Sequence, residues 1–337
     1  MTDSPVVSVL LPVRDAAPYL PECIESLRVQ TLADFEVLAV DDGSCDGSTE
    51  ILSAWAAADP RVTVIRQPPL GIVTALETAR ARARGAYLAR MDADDIAEPT
   101  RLAEQLAWLE DQPDLAGCGA GVRYFPRQHV QGGGKRYERW LNAIRTPDDV
   151  ARNIFIECPL AHPTFFLRAE AVERAGGYVD RGWPEDYDLL LRLWMGGARL
   201  GSLDRVLVHW REREDRTSRC DAAYSPDAFR RCKVHYLLKT LAADRTGIIV
   251  WGAGPIGKAI AREVLEQGGG LNAFVELDPR KIGQRIYGAT VIGPAHINEY
   301  RDGFSVAAVG QEGARENIRR TLEEAGWTEV TDFVAVA

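Results

Sequence analysis

Two acidic clusters in this sequence each come directly after a short apolar run, and this arrangement limits the folds open to the chain. The three carboxylates of residues 92–95 follow the apolar residues 87–89, and Asp41 and Asp42 follow the apolar run that begins at residue 35. Short apolar runs of this kind are typical of buried strands. The carboxyl ends of parallel strands in an open α/β sheet border one ligand crevice. We therefore expect both clusters at the same edge of a mostly parallel sheet.

Residues 6–95 alternate strand-like and helix-like segments. The predicted strands are 6–13, 35–40, 62–65 and 87–89, and the predicted helices are 20–27, 48–58 and 71–84. We expect Gly85 to end the third helix as a left-handed cap. The alternating order favours an α/β fold with right-handed crossovers and a mostly parallel sheet flanked by helices.

The acid run of residues 92–95 places three like charges within four positions. Each of these carboxylates favours protonation of its neighbours unless a cation is present. Carboxylate oxygens are the ligands that Mg²⁺ and Mn²⁺ prefer, so we expect one of these cations here. A solvated acidic turn is the alternative, and the second acidic cluster favours the ligand site.

Length and charge narrow the classes of function. A chain of 337 residues is long for one domain, so we expect two, and the net charge of -9 argues against nucleic acid as a partner. No apolar stretch reaches the ~20 residues of a membrane helix, so we expect no transmembrane segment. Residues 1–5 carry no basic segment, and the six cysteines form no CxxC pair. We therefore expect a cytoplasmic protein without a signal peptide, with peripheral binding at the inner face of the membrane as an option.

The strand and helix pattern dissolves between about 120 and 150. Three consecutive glycines at 132–134 lie among five basic residues: Arg123, Arg127, Lys135, Arg136 and Arg139. We predict a mobile, locally basic loop in this part of the chain. It is either an ordinary exposed excursion or a loop that contacts substrate.

A helix start at Ser225-Pro226 introduces the C-terminal part of the chain. Serine is a good capping residue and proline suits the first helical position, so we predict a connecting helix that ends near Ala243. Residues 248–251 then predict a strand, 258–266 a helix and 271–277 a second strand. This is a second strand-helix-strand pattern, separate from the first.

A GxGxxG motif lies between the first strand and the helix of this second pattern. It is formed by Gly252, Gly254 and Gly257, and Glu276 follows near the end of the next strand. Such glycines let a phosphate approach a helix N-terminus, and the acid binds a ribose hydroxyl. We predict a nucleotide or dinucleotide site at these four residues. The alternative is that the glycines serve only the packing of the helix on the strand.

Six motifs occur in a fixed order along the N-terminal part of the chain. They are 7–13, 40–44 (Val-Asp-Asp-Gly-Ser), 91–95 (Met-Asp-Ala-Asp-Asp), 161–166, 176–178 and 184–189. In this order and spacing they resemble the family 2 glycosyltransferases of the GT-A fold, over roughly residues 5 to 220. The resemblance implies a nucleotide-sugar donor and a glycan, lipid-linked or protein acceptor. It also implies transfer of the sugar with inversion at the anomeric carbon.

The resemblance implies a role for each acid of the 91–95 motif. Asp94 would bind Mn²⁺ or Mg²⁺, and this cation would neutralise the charge that develops on the leaving diphosphate. Asp92 would lie near the donor ribose or the water shell of the metal. Asp95 would orient the ligand carboxylate from behind.

The resemblance also places the nucleotide at the first two motifs. The donor pocket would be lined by Pro12, Arg14, Asp41 and Asp42, with Asp42 accepting a hydrogen bond from the base. Many relatives have an aromatic residue and an asparagine where this chain has Arg14-Asp15. The choice of nucleotide therefore stays open.

The pair Glu185-Asp186 corresponds to the family's catalytic acid motif at the start of a helix. Asp186 is the candidate general base for the acceptor hydroxyl, and Glu185 would orient the acceptor or Asp186. A helix N-terminus stabilises an ionised carboxylate. The alternative for this pair is helix capping alone.

Three further donor-binding residues follow from the resemblance. His162, which precedes Pro163 and is expected in an extended segment, would lie near the donor or acceptor sugar, or would be a structural residue beneath the site. Residues 209–219 resemble a flexible segment that closes over the donor, in which Arg211 and Arg213 would clamp phosphates. Relatives often have a metal-binding histidine near Arg213, and its absence here weakens the case for a protein ligand beyond Asp94.

These observations predict a GT-A domain at 1–222, a helical connector at 223–245 and a smaller Rossmann-like accessory domain at 246–337. The leading hypothesis is a metal-dependent inverting glycosyltransferase in the synthesis of a cell-surface polysaccharide or glycoconjugate. A nicotinamide-dependent oxidoreductase that uses the C-terminal domain is one alternative. A nucleotide-sugar sensor without catalytic activity is the other.

Overall fold

The computed structural model describes residues 4–213, 216, 220–311 and 313–337. The chain divides into two compact units. Unit 1 comprises Met1–Val150, Pro159–Arg181 and Asp188–Arg219, and unit 2 comprises Ala151–Cys158, Gly182–Tyr187 and Cys220–Ala337. Two short internal segments thus belong to the unit that holds the C-terminal part of the chain.

The sheet of unit 1 has eight strands in the order β3-β2-β1-β4-β7-β6-β8-β5. The strands are β1 (Val7–Val13), β2 (Phe35–Asp42), β3 (Val62–Gln67), β4 (Tyr87–Arg90), β5 (Ile96–Ala97), β6 (Leu115–Phe125), β7 (Phe166–Arg168) and β8 (Arg199–Arg211). Strands β1 to β4 run parallel to their neighbours within this set, whereas β7 runs antiparallel to both β4 and β6. The predicted parallel sheet is therefore confirmed for the first four strands.

Helices connect the strands of this sheet. Up to residue 195 they are α1 (Leu20–Arg28), α2 (Ser48–Ala58), α3 (Ile72–Arg80), α4 (Arg101–Glu110), α5 (Gly132–Ala143), α6 (Pro147–Asn153), α7 (Ala169–Arg174) and α8 (Glu185–Met195). Short 3₁₀ helices lie at Arg127–His129 and His162–Thr164. No helix among the described residues is long and apolar enough to span a bilayer.

Strands β1 and β2 lie at the centre of the core of unit 1. Every residue of β2 is buried, and β1 is buried except for partial exposure at Pro12. Burial on both faces explains why these strands appear in the sequence as nearly continuous apolar runs. Leu20, Cys23 and Leu27 of α1 pack into the same core, and the helix predicted over 20–27 is confirmed.

Gly85 does not cap a helix, so that prediction is wrong. Helix α3 ends at Arg80, and the chain returns to β4 through a turn that passes close to β1. A Cβ on Gly85 would lie 2.6 Å from the backbone nitrogen of Ser8. Glycine is needed here because the backbone of the turn approaches β1, and Gly85 donates a hydrogen bond of 2.9 Å to Ser8 Oγ.

The predicted loop between 120 and 150 is mostly regular structure, which corrects the sequence analysis. Strand β6 continues to Phe125, and the three glycines at 132–134 begin helix α5. Glycine lowers intrinsic helix propensity, so tertiary packing has overridden it here. Leu141 is buried in a small cluster against which Trp140 packs.

Unit 2 contains a second sheet of six strands in the order β11-β12-β10-β9-β13-β14. Its strands are β9 (Ile248–Trp251), β10 (Leu271–Val275), β11 (Arg285–Ile286), β12 (Ala289–Ile292), β13 (Phe304–Ala307) and β14 (Phe333–Ala335). Its helices are α9 (Pro226–Lys239), α10 (Pro255–Glu266) and α11 (Ala314–Glu324), with 3₁₀ helices at Ala222–Tyr224 and Pro294–Tyr300. All neighbouring strands are parallel except the β11–β12 pair.

Helix α9 begins where the sequence predicts it. Ser225 Oγ accepts a hydrogen bond of 3.2 Å from the backbone N–H of Ala228, and Pro226 is the first helical residue. The helix ends at Lys239, before the predicted Ala243. Within unit 2 the buried ammonium of Lys233 donates to the carbonyl oxygens of Ile156 and Val336, which ties residues 151–158 to the C-terminal end of the chain.

Two glycines of the GxGxxG motif are explained by packing within unit 2. Gly252 has a φ of 97°, in the left-handed region that favours glycine. A Cβ on Gly257 would lie 1.8 Å from the carbonyl oxygen of Gly252. The first turn of α10 therefore packs directly on the backbone that follows β9.

We expect Gly257→Ala to lower the free energy of unfolding by about 1–3 kcal/mol, because the added methyl group collides with backbone. Gly133→Ala is the control, since its Cβ would meet nothing within 4 Å and alanine favours the helix by about 0.5–1 kcal/mol. Urea unfolding followed by circular dichroism measures both changes. A Gly257→Ala protein as stable as wild type would contradict this packing.

Candidate functional site

The carboxyl ends of β1, β2 and β4 bring the two acidic clusters to one edge of the sheet in unit 1. Strand β1 pairs with β2 on one side and β4 on the other. Asp41 and Asp42 are the last two residues of β2, and the acid run 92–95 begins two positions after β4 ends. The shared edge predicted from the sequence is therefore confirmed.

Three carboxylates converge at the end of β4. Asp92, Asp94 and Asp95 each offer an oxygen, and these oxygens all lie within 4.8 Å of one another. Asp92 forms an ion pair with Arg90, a residue that is 3% exposed. Asp94 accepts a hydrogen bond of 2.9 Å from Nε of Arg213. Two of the three acids thus already face a positive charge.

Asp95 lies deepest in this cluster, at 1% exposed. Its Oδ1 accepts a hydrogen bond of 2.7 Å from the backbone N–H of Arg211. Its Oδ2 is buried and has no hydrogen-bond partner among the described residues. A buried carboxylate oxygen without a partner is costly unless a proton or a cation binds to it.

The cluster disfavours its own negative charge. Burial, and then the neighbouring carboxylate of Asp92, raise the pKa of Asp94 above its ordinary value. Burial and the charges of Asp92 and Asp94 raise the pKa of Asp95 well above its ordinary value. The same acids act on the buried thiol of Cys23. Its pKa is raised first by burial and then by the charges of Asp95, Asp94 and Asp92. The site is therefore electrostatically suited to take up positive charge.

A hard divalent cation fits this donor set. Three carboxylates with mutually close oxygens are the ligand type that Mg²⁺ and Mn²⁺ prefer, and Asp95 Oδ2 has no hydrogen-bond partner in the part of the chain that the structure describes. In proteins, Mg²⁺ is usually coordinated by one or two carboxylates together with the phosphates of a substrate. The residues present thus fit the cation that the sequence predicts.

Arginines from the end of β8 face the acid cluster. Arg211 Nε donates to the carbonyl oxygen of Asp94 at 2.7 Å, and the guanidinium also pairs with Glu22. The guanidinium carbons of Arg211 and Arg213 lie 4.9 Å and 5.2 Å from the ring centre of Tyr19. Both arginines that the sequence predicts as phosphate contacts are thus held beside the acids.

The predicted flexible segment 209–219 is only partly as expected. His209 to Arg211 belong to strand β8, so the segment starts as regular structure. Residues 214–215 and 217–219 lie outside the described residues. Arg216, which the sequence analysis did not select, places its guanidinium 4.4 Å from the ring of Trp210 and is held near Glu212 at 3.6 Å.

Asp42 is held by the last residue of β3 and by the segment that follows β3. One carboxylate oxygen accepts hydrogen bonds from Gln67 Nε2 and the Leu70 N–H, and the other accepts from the Gly71 N–H at 2.9 Å. The guanidinium of Arg14 lies 3.6 Å from this carboxylate and is 54% exposed. The predicted base-binding pair is therefore assembled, with Arg14 as its accessible member.

Pro12 of β1 and Asp41 of β2 lie on neighbouring strands at this same edge of the sheet. Pro12 pairs with Val40 in the register of β1 and β2. The buried carboxylate of Asp41 accepts hydrogen bonds from the Ser44 N–H and the Thr49 hydroxyl. The contacts of Asp41 thus hold the loop after β2 in place.

His162 lies in a 3₁₀ helix rather than in the extended segment predicted from Pro163. The imidazole is 7% exposed, its Nε2 lies 3.0 Å from Tyr178 Oη, and its ring packs on Phe165. Burial, and then the charge of Arg90, hold the pKa of His162 well below its ordinary value. A neutral, buried imidazole favours the structural alternative for this residue.

Glu185 and Asp186 begin helix α8, as the sequence predicts. Within unit 2, Glu185 is 2% exposed and accepts a hydrogen bond from the Tyr224 hydroxyl. Asp186 Oδ1 accepts a hydrogen bond of 2.7 Å from the N–H of Tyr187. Tyr187 in turn donates through its hydroxyl to the carbonyl of Ile154 at 2.6 Å. The acid pair is thus anchored by residues of its own unit.

The predicted C-terminal site also assembles within unit 2. Glu276 follows β10, and its carboxylate accepts hydrogen bonds from the Leu277 N–H, from Lys281 Nζ and from the Ala253 N–H of the glycine turn. Burial alone would raise the pKa of Glu276, but the bonds from Lys281 and the backbone outweigh it and lower that pKa. Glu276 and the glycine turn are therefore direct neighbours.

Several residues that shape these sites carry no signal in the sequence. Glu22 and Tyr19 contact the arginines from a helix more than 180 positions away in the chain. Arg101 is buried, donates to the carbonyl of Arg90 at 2.7 Å, and has its pKa lowered to about 10 by burial. Only the tertiary fold brings such residues to the acid cluster, so no local pattern could have revealed them.

Comparison with known proteins decides the family. Residues 8–176 match the family model described as Glycosyl transferase family 2. The chain belongs to this family. Putative glycosyltransferase EpsE of Bacillus subtilis (strain 168) is 32% identical to this transferase over 232 residues, which are 67% of this chain and 80% of EpsE.

A further relative and two solved structures extend this comparison. Amylovoran biosynthesis glycosyltransferase AmsE of Erwinia amylovora is 32% identical over 197 residues, 58% of this chain and 71% of AmsE. S. aureus TarS 1–349 in complex with UDP-GlcNAc has a TM-score of 0.56 at 17% identity, covering 69% of this transferase and 66% of TarS 1–349. The mannosyltransferase PcManGT of Pyrobaculum calidifontis, in complex with GDP-Man and Mn²⁺, has a TM-score of 0.51 at 22% identity, with coverages of 70% and 63%. This transferase thus spans just under two thirds of each solved chain, and the likeness shows the fold, which is consistent with the GT-A type.

We expect Asp95→Asn to raise the melting temperature of the transferase in EDTA at neutral pH, because one of three crowded carboxylates is removed. A carboxyl with a raised folded-state pKa stabilises the fold below its unfolded pKa, near 3.8, and loses this contribution as the pH rises through the folded pKa. The advantage of the variant should therefore grow as the pH rises from about 4 towards 7. Scanning calorimetry across this range measures it.

The control for this experiment is Asp114→Asn, which removes an exposed carboxylate paired with Arg199. Its effect should stay within about 1 kcal/mol and should not follow the same pH trend. An Asp95→Asn protein that is less stable than wild type at every pH would contradict the repulsion among the three carboxylates.

Proposed function

We propose that this protein is a metal-dependent, inverting glycosyltransferase that moves a sugar from a nucleotide-sugar donor to an acceptor hydroxyl. The observation that carries the proposal is the convergence of Asp92, Asp94 and Asp95 at the carboxyl edge of a family 2 fold. AmsE is named for amylovoran biosynthesis, so the proposed product is a cell-surface polysaccharide or glycoconjugate. TarS and PcManGT were solved with UDP-GlcNAc and with GDP-Man and Mn²⁺, which supports a nucleotide-sugar donor and a divalent cation.

The acid cluster would hold Mn²⁺ or Mg²⁺ through Asp94, with Asp92 and Asp95 beside it. When bound, the cation supplies Lewis-acid stabilisation of the negative charge on a leaving diphosphate. Arg211 and Arg213 add permanent positive charge at the same place, and their planar guanidinium groups suit phosphate oxygens. Asp95 keeps Arg211 in position by accepting its backbone N–H.

The nucleotide would bind at the other end of this sheet edge. Asp42 is fixed by three hydrogen bonds from the end of β3 and the segment after it, and it holds Arg14 at 3.6 Å. The exposed guanidinium of Arg14 is then available to stack on a base or to donate to it. This arginine replaces the aromatic residue common in relatives and would contribute to the choice of nucleotide.

Asp186 is the proposed general base. The acceptor oxygen attacks the anomeric carbon, the bond from that carbon to the diphosphate oxygen breaks, and Asp186 takes the acceptor proton. The N-terminus of α8 stabilises the ionised carboxylate that this role requires. Glu185, held by the Tyr224 hydroxyl, acts as a positioning residue for the start of the helix.

We further propose that unit 2 contains a Rossmann-like accessory domain. Counting its parallel strands in chain order from β9, the sheet runs 3-2-1-4-5. This is the doubly wound order 3-2-1-4-5-6 of dinucleotide-binding folds without its sixth strand. The GxGxxG turn follows the first of these strands, and Glu276 follows the second.

We expect Asp186→Asn to lower kcat for nucleoside diphosphate release by about 10²–10⁴, because the amide cannot accept the proton. The KM for the donor should stay close to wild type, since Asp186 is assigned to the acceptor side. The assay is release of the nucleoside diphosphate at saturating Mn²⁺ over a range of donor concentrations, in which water takes the place of the acceptor hydroxyl.

The matched control is Asp227→Asn, which changes an exposed acid in the first turn of another helix of unit 2. It should keep wild-type kcat and KM. An Asp186→Asn enzyme with full kcat would remove Asp186 from the mechanism, whereas a raised KM alone would move it to the donor side.

A further inference from the structure

A cavity in unit 2 lies at the carboxyl edge of the second sheet, and none of its lining residues is assigned to sugar transfer. Its volume is about 330 Å³, which is within the range of small-molecule sites. Trp251, Val275 and Leu277 line it from the ends of β9 and β10, and Gln311 and Asn317 line it from the segment after β13 and from α11. The cavity therefore lies where the strand order reverses, at the switch point of the sheet.

The glycine turn beside the cavity contains one glycine that packing does not explain. Gly252 needs its positive φ, and Gly257 needs to avoid the carbonyl oxygen of Gly252. Gly254 has an ordinary φ of -86°, and a Cβ there would meet nothing within 4 Å. A side chain at Gly254 would thus be tolerated by the fold, and its absence leaves the N-terminus of α10 open.

Trp251 supplies an independent sign of a missing partner. Its side chain is 4% exposed, and its indole Nε1 is buried without a hydrogen-bond partner among the described residues. Buried indole N–H groups usually find an acceptor. Because Trp251 lines the cavity, a ligand with acceptor atoms there would satisfy this donor.

The remaining walls match the parts of a nucleoside. Leu277 is apolar but 77% exposed at the cavity, and would be covered by a flat base. Glu276 accepts four hydrogen bonds, from the Leu277 N–H, the Asp278 N–H, Lys281 Nζ and the Ala253 N–H. The bonds from Asp278, at 3.5 Å, and from Ala253, at 3.3 Å, are long and therefore weak, so a ribose hydroxyl can compete for this carboxylate.

From these observations we propose that unit 2 binds a nucleoside phosphate with a free ribose diol. The base lies in the cavity against Leu277 and Trp251, the ribose hydroxyl donates to Glu276, and the phosphate lies at the open N-terminus of α10 beside Gly254. A second phosphate on the ribose would meet the charge of Glu276 and is disfavoured. This inference rests on the proposed Rossmann-like character of unit 2 and is independent of the sugar-transfer reaction proposed for the acids of unit 1.

Both a nicotinamide dinucleotide and a nucleoside diphosphate contain a nucleoside phosphate with a free ribose diol. Calorimetry on the full chain distinguishes these two ligands. ADP, UDP, GDP and NADH are titrated separately into the protein in EDTA, where the metal-dependent donor site of unit 1 does not contribute. Saturable binding of NADH alone assigns the site to a dinucleotide. Binding of one or more nucleoside diphosphates assigns it to the nucleotide of a sugar donor or of the transfer product.

Gly254→Asp tests the position of the phosphate. Aspartate is a favourable N-cap residue and has room at this position, so the variant should fold with an unchanged or raised melting temperature. Its negative charge should weaken binding of whichever probe binds wild type by about tenfold or more. Gly133→Asp is the matched control in the first turn of α5, where φ is not positive and a Cβ also meets no described atom within 4 Å, and it should bind the probe as wild type does.

Trp251→Phe tests the indole donor and should weaken binding about two- to tenfold. The proposal is overturned if none of the four probes binds wild type up to about 1 mM, or if Gly254→Asp binds as tightly as wild type. Donor turnover with Mn²⁺ is measured on the same preparations and should be unchanged in Gly254→Asp. If the wild-type protein shows no donor turnover, the proposed sugar-transfer activity is contradicted, whereas the proposed nucleoside phosphate site is not.

Discussion

The mutual repulsion of three crowded carboxylates is the constraint on which the rest of unit 1 depends. Asp92, Asp94 and Asp95 lie together at the end of β4, where Asp95 is buried and the other two are partly buried, so solvent screens their charges only in part. The fold answers with fixed positive charge from Arg90, Arg211 and Arg213. It still leaves Asp95 Oδ2 without a partner among the described residues, and the pKa of Asp95 is raised by burial and by its neighbours. The uncompensated carboxylate charge favours binding of a cation. The bound cation and the neighbouring arginines can then bind an anionic substrate.

Unit 2 uses a different physical device for its proposed ligand. Its glycine turn is neutral, and the attraction for a phosphate comes from the open end of α10, reinforced by close approach at Gly254. The same unit also contains the residues that hold Glu185 and Asp186, since Tyr224 donates to Glu185 and Tyr187 donates to Ile154. Both the proposed base and the proposed nucleoside site thus belong to one compact unit of the chain, although they are far apart in sequence.

The sequence was sufficient for the parts of the fold that local pattern controls. Strands buried on both faces, the Ser225 cap of α9 and the acids at the ends of β2 and β4 were all predicted, because burial and capping leave marks on neighbouring residues. Local pattern failed where tertiary contacts decide the outcome. Gly85 is a glycine because a turn passes close to β1, and the glycines at 132–134 begin α5 because packing outweighs propensity. Only the tertiary fold brings Glu22 and Arg101 to the acid cluster and Tyr224 to Glu185, so no sequence motif predicted these three residues.

The most direct test of the central claim is release of nucleoside diphosphate from UDP-, GDP- and dTDP-sugars by wild type and Asp94→Ala. Each donor is assayed with Mn²⁺, with Mg²⁺ and with EDTA, and circular dichroism establishes that the variant is folded. The account predicts release from one donor that depends on the cation and is lost both in EDTA and in Asp94→Ala. Release at the same rate in EDTA and in the folded variant would contradict a cation-binding role for the acid cluster.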